Sequence, residues 1–424
     1  MKSTVRNATN QRIERITMQH VVVGIDIAKD AHAAQITDFR GRSLTSKHLS
    51  FTNSLEGFER LLDWIKKAQA KHSLTSLLVG LEPTGHYWFN LANWLLQQGI
   101  EVVLVNPVTT HRNKENRDNS PSKNDPKDAL VIADVVSRGY YTEYSPHAAV
   151  FRRLKTLMSD REFWVKQSAC FANRIIRWID LYFPEFRQVF PNWATLRSLA
   201  SLKAFPLPSD LEGLDVDAVI AQWRDQGMKR ASGVSGRAKA AELLAAATRS
   251  IGDRQALQEA RDDIDRLLAA YEHTAAMLDD IEQALELLLA DIPLIEQLRS
   301  IQGLGTIALA AILSGTGDLR HYAHGQQILR RAGLNLAERT SGKFKGQVKV
   351  SKRGDSTLRK HLYWGMLSLV QRHPDFKQWH ANNRARGMKK QASLFKLIGK
   401  LARILVGMAQ RGESYRECAD LVAA

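Results

Sequence analysis

Cysteine is nearly absent from this chain. Its two copies in 424 residues, Cys170 and Cys418, stand far apart with no Cys-x-x-Cys spacing. That excludes a disulfide framework and a Cys-ligated zinc site, and it suits a reducing, intracellular compartment. Long apolar runs are missing too: none approaches the roughly 18 residues that a membrane span requires. The polar, charged N-terminus lacks the apolar core of a signal peptide. The expectation is a cytoplasmic protein with no membrane partner. Acid is in deficit as well, since 60 Lys and Arg face 44 Asp and Glu, for a formal charge of +16. Such a balance favours a polyanionic partner, because Lys and Arg neutralise phosphates and release counterions. The excess is uneven: residues 296–424 carry +15 and residues 241–295 carry −8. The last third is therefore the candidate nucleic-acid surface.

At this length two or three domains are expected, at roughly 100–200 residues each. Residues 1–19, with Arg6, Arg12 and Arg15, read as a basic flexible arm. The stretch from Val21 to Asp30, Val-Val-Val-Gly-Ile-Asp-Ile-Ala-Lys-Asp, reads as a buried strand interrupted by one carboxylate, Asp26. A carboxylate there is costly unless a metal, a cation or hydrogen bonds compensate it; the plainer alternative is a strand-end Asp bonded to a neighbouring turn. Ala31 to Phe39 predicts an antiparallel return strand, and Ser54 to Ala68 an amphipathic helix. Ser76 to Leu81 reads as a further buried strand, again ending in an acid, within Glu82-Pro83-Thr84-Gly85. His86 to Gln98 reads as a helix and Val102 to Val105 as a strand. The order β-β-α-β-α-β indicates an α/β domain with a mixed sheet over residues 20–148. After a basic polar loop, Asp125-Pro126-Lys127-Asp128 has the chemistry of a helix start, although capping explains one of its acids more readily than two.

From residue 149 the pattern turns helical. Leu257, Ile264, Tyr271, Leu278, Leu285 and Ile292 fall every seventh residue, with Ala260, Leu267, Thr274, Ile281, Leu288 and Ile295 as a companion series. This argues for a coiled coil, paired with the helix at 151–186, with another copy of the chain, or with both. An insert near 187–250 interrupts the region, which ends at residue 295. Residues 296–424 form a mainly helical, basic domain. Its Gly303-Leu304-Gly305 turn is similar to a helix-hairpin-helix element, whose amides can hold a DNA phosphate.

Asp26, Glu82, Asp125 and Asp128 are four acids from separated positions that one sheet can bring together. Hard oxygen donors in that number suit Mg²⁺ or Mn²⁺ and phosphodiester chemistry. Gly24-Ile25-Asp26-Ile27-Ala28-Lys29, Glu82-Pro83-Thr84-Gly85 and Asp125-Pro126-Lys127-Asp128-Ala129, in that order and followed by heptads, resemble the DEDD transposases of insertion sequences. In the second half, Ile301-Gln302-Gly303-Leu304-Gly305, Ala332-Gly333-Leu334, Ser341-Gly342 and Ser351-Lys352-Arg353-Gly354 are similar to that family's C-terminal transposase domain.

The resemblance implies an RNase H or RuvC-like N-terminal domain, with Asp26, Glu82, Asp125 and Asp128 as its acidic tetrad and Ser341 as a nucleophile that bonds covalently to a DNA strand end. It also implies donor and target DNA, a noncoding bridge RNA that pairs with both, and homodimers that join into a tetramer, the serine of one subunit completing the acidic site of another. A nucleoid-associated location would follow. Ser341, beside Lys343 and Lys345, lies in an electropositive loop, where a plain turn serine is the simpler reading. Ser351 is its local rival, with neighbours Lys352, Arg353 and Arg359, together with Lys360, suited to backbone phosphate. The N-terminal extension and the enlarged middle segment depart from the family pattern. Three alternatives use the same residues differently. One is a RuvC-like endonuclease that uses water and has no role for Ser341. Another is an actin-like phosphotransferase, for which a second glycine-rich loop is lacking. The third is an RNA-binding protein without catalysis.

Overall fold

The computed structural model describes residues 10–114, 125–144, 148–337, 340–341, 344–345 and 348–416; the side chains of Asp125, Thr340, Ser341, Phe344 and Lys345 lie outside that set. The chain divides into two compact units, Met1–Pro146 and His147–Ala424.

The first unit is built on a mixed sheet of strands β1 (His20–Asp26), β2 (Ala31–Asp38), β3 (Leu49–Thr52), β4 (Ser76–Leu81), β5 (Val102–Leu104) and β6 (Thr142–Glu143), in the order β3-β2-β1-β4-β5-β6. β1 pairs antiparallel with β2 and parallel with β4, placing Ile25 opposite Leu81. β4 and β5 are also parallel. Side chains alternate between the two faces of a strand. Val21, Val23 and Ile25 accordingly share one core with Val79, Leu81 and the helices Leu55–His72 and Trp88–Gln97. Val22 shares the other with Leu78, Val103 and the helix Asp125–Ser137. The expected strands and helices are present. The structure adds β3, β6 and the short helix Pro107–Asn113, elements of two to seven residues that are too brief to show a period. Arg15 and Ile16 fall in the stretch read as an arm. Arg15 pairs with Glu101 and Glu143, and Ile16 is buried.

The second unit is helical apart from a short β-ribbon. Two 34-residue helices, Ala149–Tyr182 and Leu257–Ala290, pack antiparallel. Arg161 meets Glu282 toward one end, Trp164 packs edge-on to His273, and Trp178 Nε1 donates to the Ala260 carbonyl at 2.8 Å toward the other. The long helix thus packs along Ala149–Tyr182 of the same chain. None of the twelve heptad positions is exposed. The helix itself stops at Ala290, because Pro293 has no N–H to continue the ladder and disfavours helical backbone before it. Ile292 and Ile295 bury beyond the turn. The insert is a small helical core around Phe183, Phe186, Trp223 and Leu243, closed onto Ile175, Ile179 and Ile264 of the long pair. Trp223 Nε1 donates to Ser201 Oγ inside it.

At the opposite end of the pair, Phe151, Met158 and Leu285 join the core of the C-terminal helices, chiefly Thr306–Thr316, Ser356–Arg372 and Lys390–Arg411. Among the described residues no helix is long and apolar enough to cross a membrane.

Candidate functional site

Two acids of the first unit, Asp26 and Glu82, stand at the carboxyl ends of adjacent parallel strands. Ile25 is opposite Leu81, so the next residues, Asp26 and Glu82, leave adjacent strands at the same level; both are half-buried. The helix Asp125–Ser137 is brought to that edge by two glycines. A Cβ on Gly24 would stand 2.1 Å from the Ala129 carbonyl oxygen, and one on Gly80 2.4 Å from Val136 Cγ2. Only glycine lets the helix seat this closely. Asp26, two residues beyond Gly24, shares its face of the strand.

The helix runs back against β1, since Gly139, just past its end, abuts Ile13 ahead of that strand. Its first turn therefore lies at the Asp26 end. The helix Pro107–Asn113, which follows β5, delivers Lys114 to the same place, where Nζ donates to Asp128 Oδ2 at 2.7 Å. Asp128 is 5% exposed, and its Oδ1 has no hydrogen-bond partner among the described residues. Open α/β sheets characteristically bind ligands at this edge.

The loop after Asp26 is clamped from β2 and from the turn after β3. The Ala28 N–H donates to His32 Nδ1 at 3.2 Å. Asn53 donates its backbone N–H to the Asp30 carbonyl at 2.9 Å and its Nδ2 to the Lys29 carbonyl at 3.2 Å. His32 is 1% exposed; burial pushes its pKa below the usual histidine value, and the nearby Asn53 side chain offsets this in part. A neutral ring accepting at Nδ1 carries its proton on Nε2.

Carboxylates without His or Cys suit a hard divalent cation, and the buried Oδ1 of Asp128, without a partner among the described residues, is an oxygen of the kind that binds one. The Asp125 side chain lies outside the described residues, and among those described no three acids, histidines or cysteines gather within reach of one ion.

In the second unit Ser341 falls on the outer strand pair of a β-ribbon. Leu336–Ala337 pairs with Lys349–Val350, and further out Thr340–Ser341 pairs with Phe344–Lys345, Ser341 opposite Phe344. Lys343 lies outside the described residues. The ribbon's base accounts for two of the sequence motifs by close backbone approach. A Cβ on Gly333 would meet the Arg353 backbone at 2.9 Å, and one on Gly354 the Arg331 carbonyl oxygen at 2.4 Å. Ser351 Oγ lies 2.7 Å from Asn335 Oδ1 and 3.2 Å from the Gly333 carbonyl, and Arg359 donates to the Ala332 carbonyl at 2.8 Å. These contacts make Ser351 and Arg359 part of the ribbon's support.

Lys352 and Arg353 are exposed, and Lys352 takes left-handed backbone at φ +54°. Lys360 pairs with Glu162, whose other oxygen meets His361 Nε2 at 2.9 Å. Burial works to raise the Glu162 pKa, but the hydrogen bonds from Lys360 and His361 outweigh it and hold the carboxyl below its usual range.

Lys114, His32, Asn53 and Glu162 escaped the sequence reading. Each acts through a partner that no local period marks, and Lys114 was one cation in a basic loop.

Two family models match the chain: a DEDD transposase model of the IS110 type over residues 23–184, and the transposase model of the IS116/IS110/IS902 family over residues 295–381. The pilin gene-inverting protein of Moraxella lacunata is 31% identical over 151 residues, which are 35% of this chain and 44% of that protein. The match thus spans less than half of that relative's length. The mini-circle putative transposase for IS117 of Streptomyces coelicolor is 27% identical over 345 residues, 76% of this chain and 78% of that protein. An IS116 insertion-element protein of Streptomyces clavuligerus is 24% identical over 390 residues, 91% and 94% of the two chains.

Proposed function

Because the chain belongs to the IS110/IS116/IS902 family of transposases, we propose that it is a DNA recombinase that cuts and rejoins strands of an insertion element through Ser341. The observation that supports this reading is that Asp26 and Glu82 leave adjacent parallel strands at the same level, at the end of the sheet where the helix Asp125–Ser137 starts, within a chain that matches the two transposase models in order.

In this reading residues 20–148 are a RuvC-like domain of RNase H fold, residues 149–295 a coiled-coil region with its insert, and residues 296–424 the basic transposase domain. Asp26, Glu82, Asp125 and Asp128 would hold Mg²⁺ or Mn²⁺, which when bound supplies charge neutralisation at a scissile phosphate and lowers the proton affinity of an attacking hydroxyl. The Ser341 hydroxyl gives up its proton, its oxygen bonds to phosphorus, and the displaced strand end takes up a proton and leaves as an alcohol. A serine needs such activation, being a weak nucleophile at its ordinary pKa. Lys343, Lys345, Lys352, Arg353, Arg359 and Lys360 belong to the basic surface that meets nucleic acid, Arg359 by supporting the ribbon. Donor and target DNA, a bridge RNA and a dimer that pairs into a tetramer complete the assembly.

The test is to incubate the protein with its flanking noncoding RNA, labelled donor and target DNA and Mg²⁺, and to look for protein bound to DNA after denaturation. An adduct lost in both Ser341→Ala and Asp26→Ala is expected. Cleavage without an adduct, unchanged by Ser341→Ala and abolished by Asp26→Ala, would leave the second reading, a RuvC-like endonuclease that uses water; the carboxylate edge is what favours that alternative.

A further inference from the structure

On the face of the sheet away from the helix Asp125–Ser137, the first unit carries a cleft of about 360 Å³ between the helices Leu55–His72 and Trp88–Gln97. The carboxamide residues Asn90, Asn93 and Gln97 line it, together with Ser54, Phe58 and Trp94; Asn53 closes one end, its own carboxamide turned to the Lys29 carbonyl. The two rings pack against each other at 5.7 Å between centroids, and Trp94 is half-buried. Asn93 Oδ1 accepts from the Tyr144 hydroxyl at 3.3 Å, which leaves its amide nitrogen as a donor.

Among the described residues no charged side chain lines this cleft. The half-buried Trp94 ring, backed by the buried Phe58 at an interplanar angle of 51° and edged by groups that both donate and accept hydrogen bonds, suits a flat, neutral heterocycle with donors and acceptors on its rim. Asn and Gln pair in bidentate fashion with such edges, and single-stranded bases stack on aromatic side chains while their edges are read this way. We propose that this cleft binds one unpaired nucleobase of a single-stranded segment.

Its place in the fold agrees with that occupant. Asn53 forms one end of the cleft and also holds the loop after Asp26, through the Asp30 and Lys29 carbonyls. The opposite wall is the helix that begins at Trp88, six residues after Glu82. Both walls are thus tied to strand ends that carry the acids. A strand crossing that edge can seat an unstacked base on one face of the sheet while its backbone passes the acids. This rests on the proposed DNA recombinase reading for the identity of the polymer, although base binding itself needs none of the acids.

The test uses the full chain with labelled single-stranded oligonucleotides of mixed sequence, as DNA and as RNA, each beside a same-length abasic strand. Affinity is read by fluorescence anisotropy in the presence of EDTA. Trp94→Ala and the double variant Asn90→Ala/Gln97→Ala are compared with wild type; Asn90 and Gln97 are exposed, so the double variant leaves the core intact. Loss of one stacked base or one bidentate edge weakens binding by about tenfold. The expected result is that loss in both variants for base-bearing strands, with abasic binding unchanged. The DNA and RNA arms say which polymer supplies the base. Unchanged affinity in both variants overturns the proposal, as does a loss confined to Trp94→Ala with a lowered melting temperature. Asp26→Ala separates the two readings: it should abolish cleavage and leave base-dependent binding at the wild-type level.

Discussion

Lys114 Nζ stands 2.7 Å from Asp128 Oδ2, and the carboxylate side chain it holds is 6% exposed against 22% for the lysine. A buried carboxylate that loses its ion partner among the described residues is left undercompensated, and that costs more than the intact pair contributes. Lys114→Ala should therefore destabilise the first unit by about 2–4 kcal/mol, reduced from the fully buried case because the lysine is partly solvated. Urea denaturation checks this. Asp128→Asn in the same background should recover part of the loss, since it removes the stranded charge.

Gly24→Ala should be the most damaging single-methyl change in the sheet. Its Cβ would meet backbone atoms of Ala129 and Ala133, which cannot rotate away, whereas at Gly80 the nearest atom is the side-chain Cγ2 of Val136. The overpacking is expected to cost about 3 kcal/mol at Gly24 and about 1 kcal/mol at Gly80, after allowing for the entropy that alanine saves. Thermal melts of the two variants read the difference, and the DNA–protein adduct should fall further in Gly24→Ala because the first turn of the helix shifts with it.

Ser351 and Ser341 separate in a substitution experiment. Ser351→Ala removes the bonds to Asn335 Oδ1 and the Gly333 carbonyl that close the ribbon's base. A loss of about 1–2 kcal/mol is expected with the adduct retained. Should Ser351→Ala abolish the adduct while Ser341→Ala keeps it, the nucleophile assignment is wrong.

Acid should weaken the join between the helices Ala149–Tyr182 and Ser356–Arg372. Burial lowers the His361 pKa from its ordinary 6.5, the hydrogen bond that its Nε2 donates to Glu162 offsetting this in part, and the Glu162 pKa lies below its ordinary 4.5. For both groups the unfolded chain binds more protons as pH falls. The stability they contribute is present above those ordinary values and is lost first as pH drops through 6.5, then again below 4.5. Chemical denaturation at about pH 7.5 and about pH 5.5 should give a smaller drop for His361→Gln than for wild type.

The parts of this fold that are legible in the chain are those whose cause is local. Val21–Ile25 is a strand by its β-branched run, the helix from Asp125 starts where an acid precedes proline, and Leu257–Ala290 is a helix by its heptads, ended by Pro293. The acids at Asp26 and Glu82 stood out for the same reason, being charges at the ends of apolar runs. Local sequence also set the strand face that Asp26 occupies, because alternation has a period of two and Gly24 precedes it by two.

What tertiary structure decided is which distant groups meet. A seven-residue period says that a helix has a buried seam but not what fills it, and the filling came from Ala149–Tyr182 of the same chain. Lys114 finds Asp128 across a loop, and Arg359 finds the Ala332 carbonyl 27 residues away. Asn53 draws together the loop after Asp26 and the amide-lined cleft. Such pairings depend on burial and on the geometry of several elements at once, so no window of neighbouring residues carries them, and cations alike in sequence, such as Lys352 and Lys360, end as one exposed and one paired with Glu162.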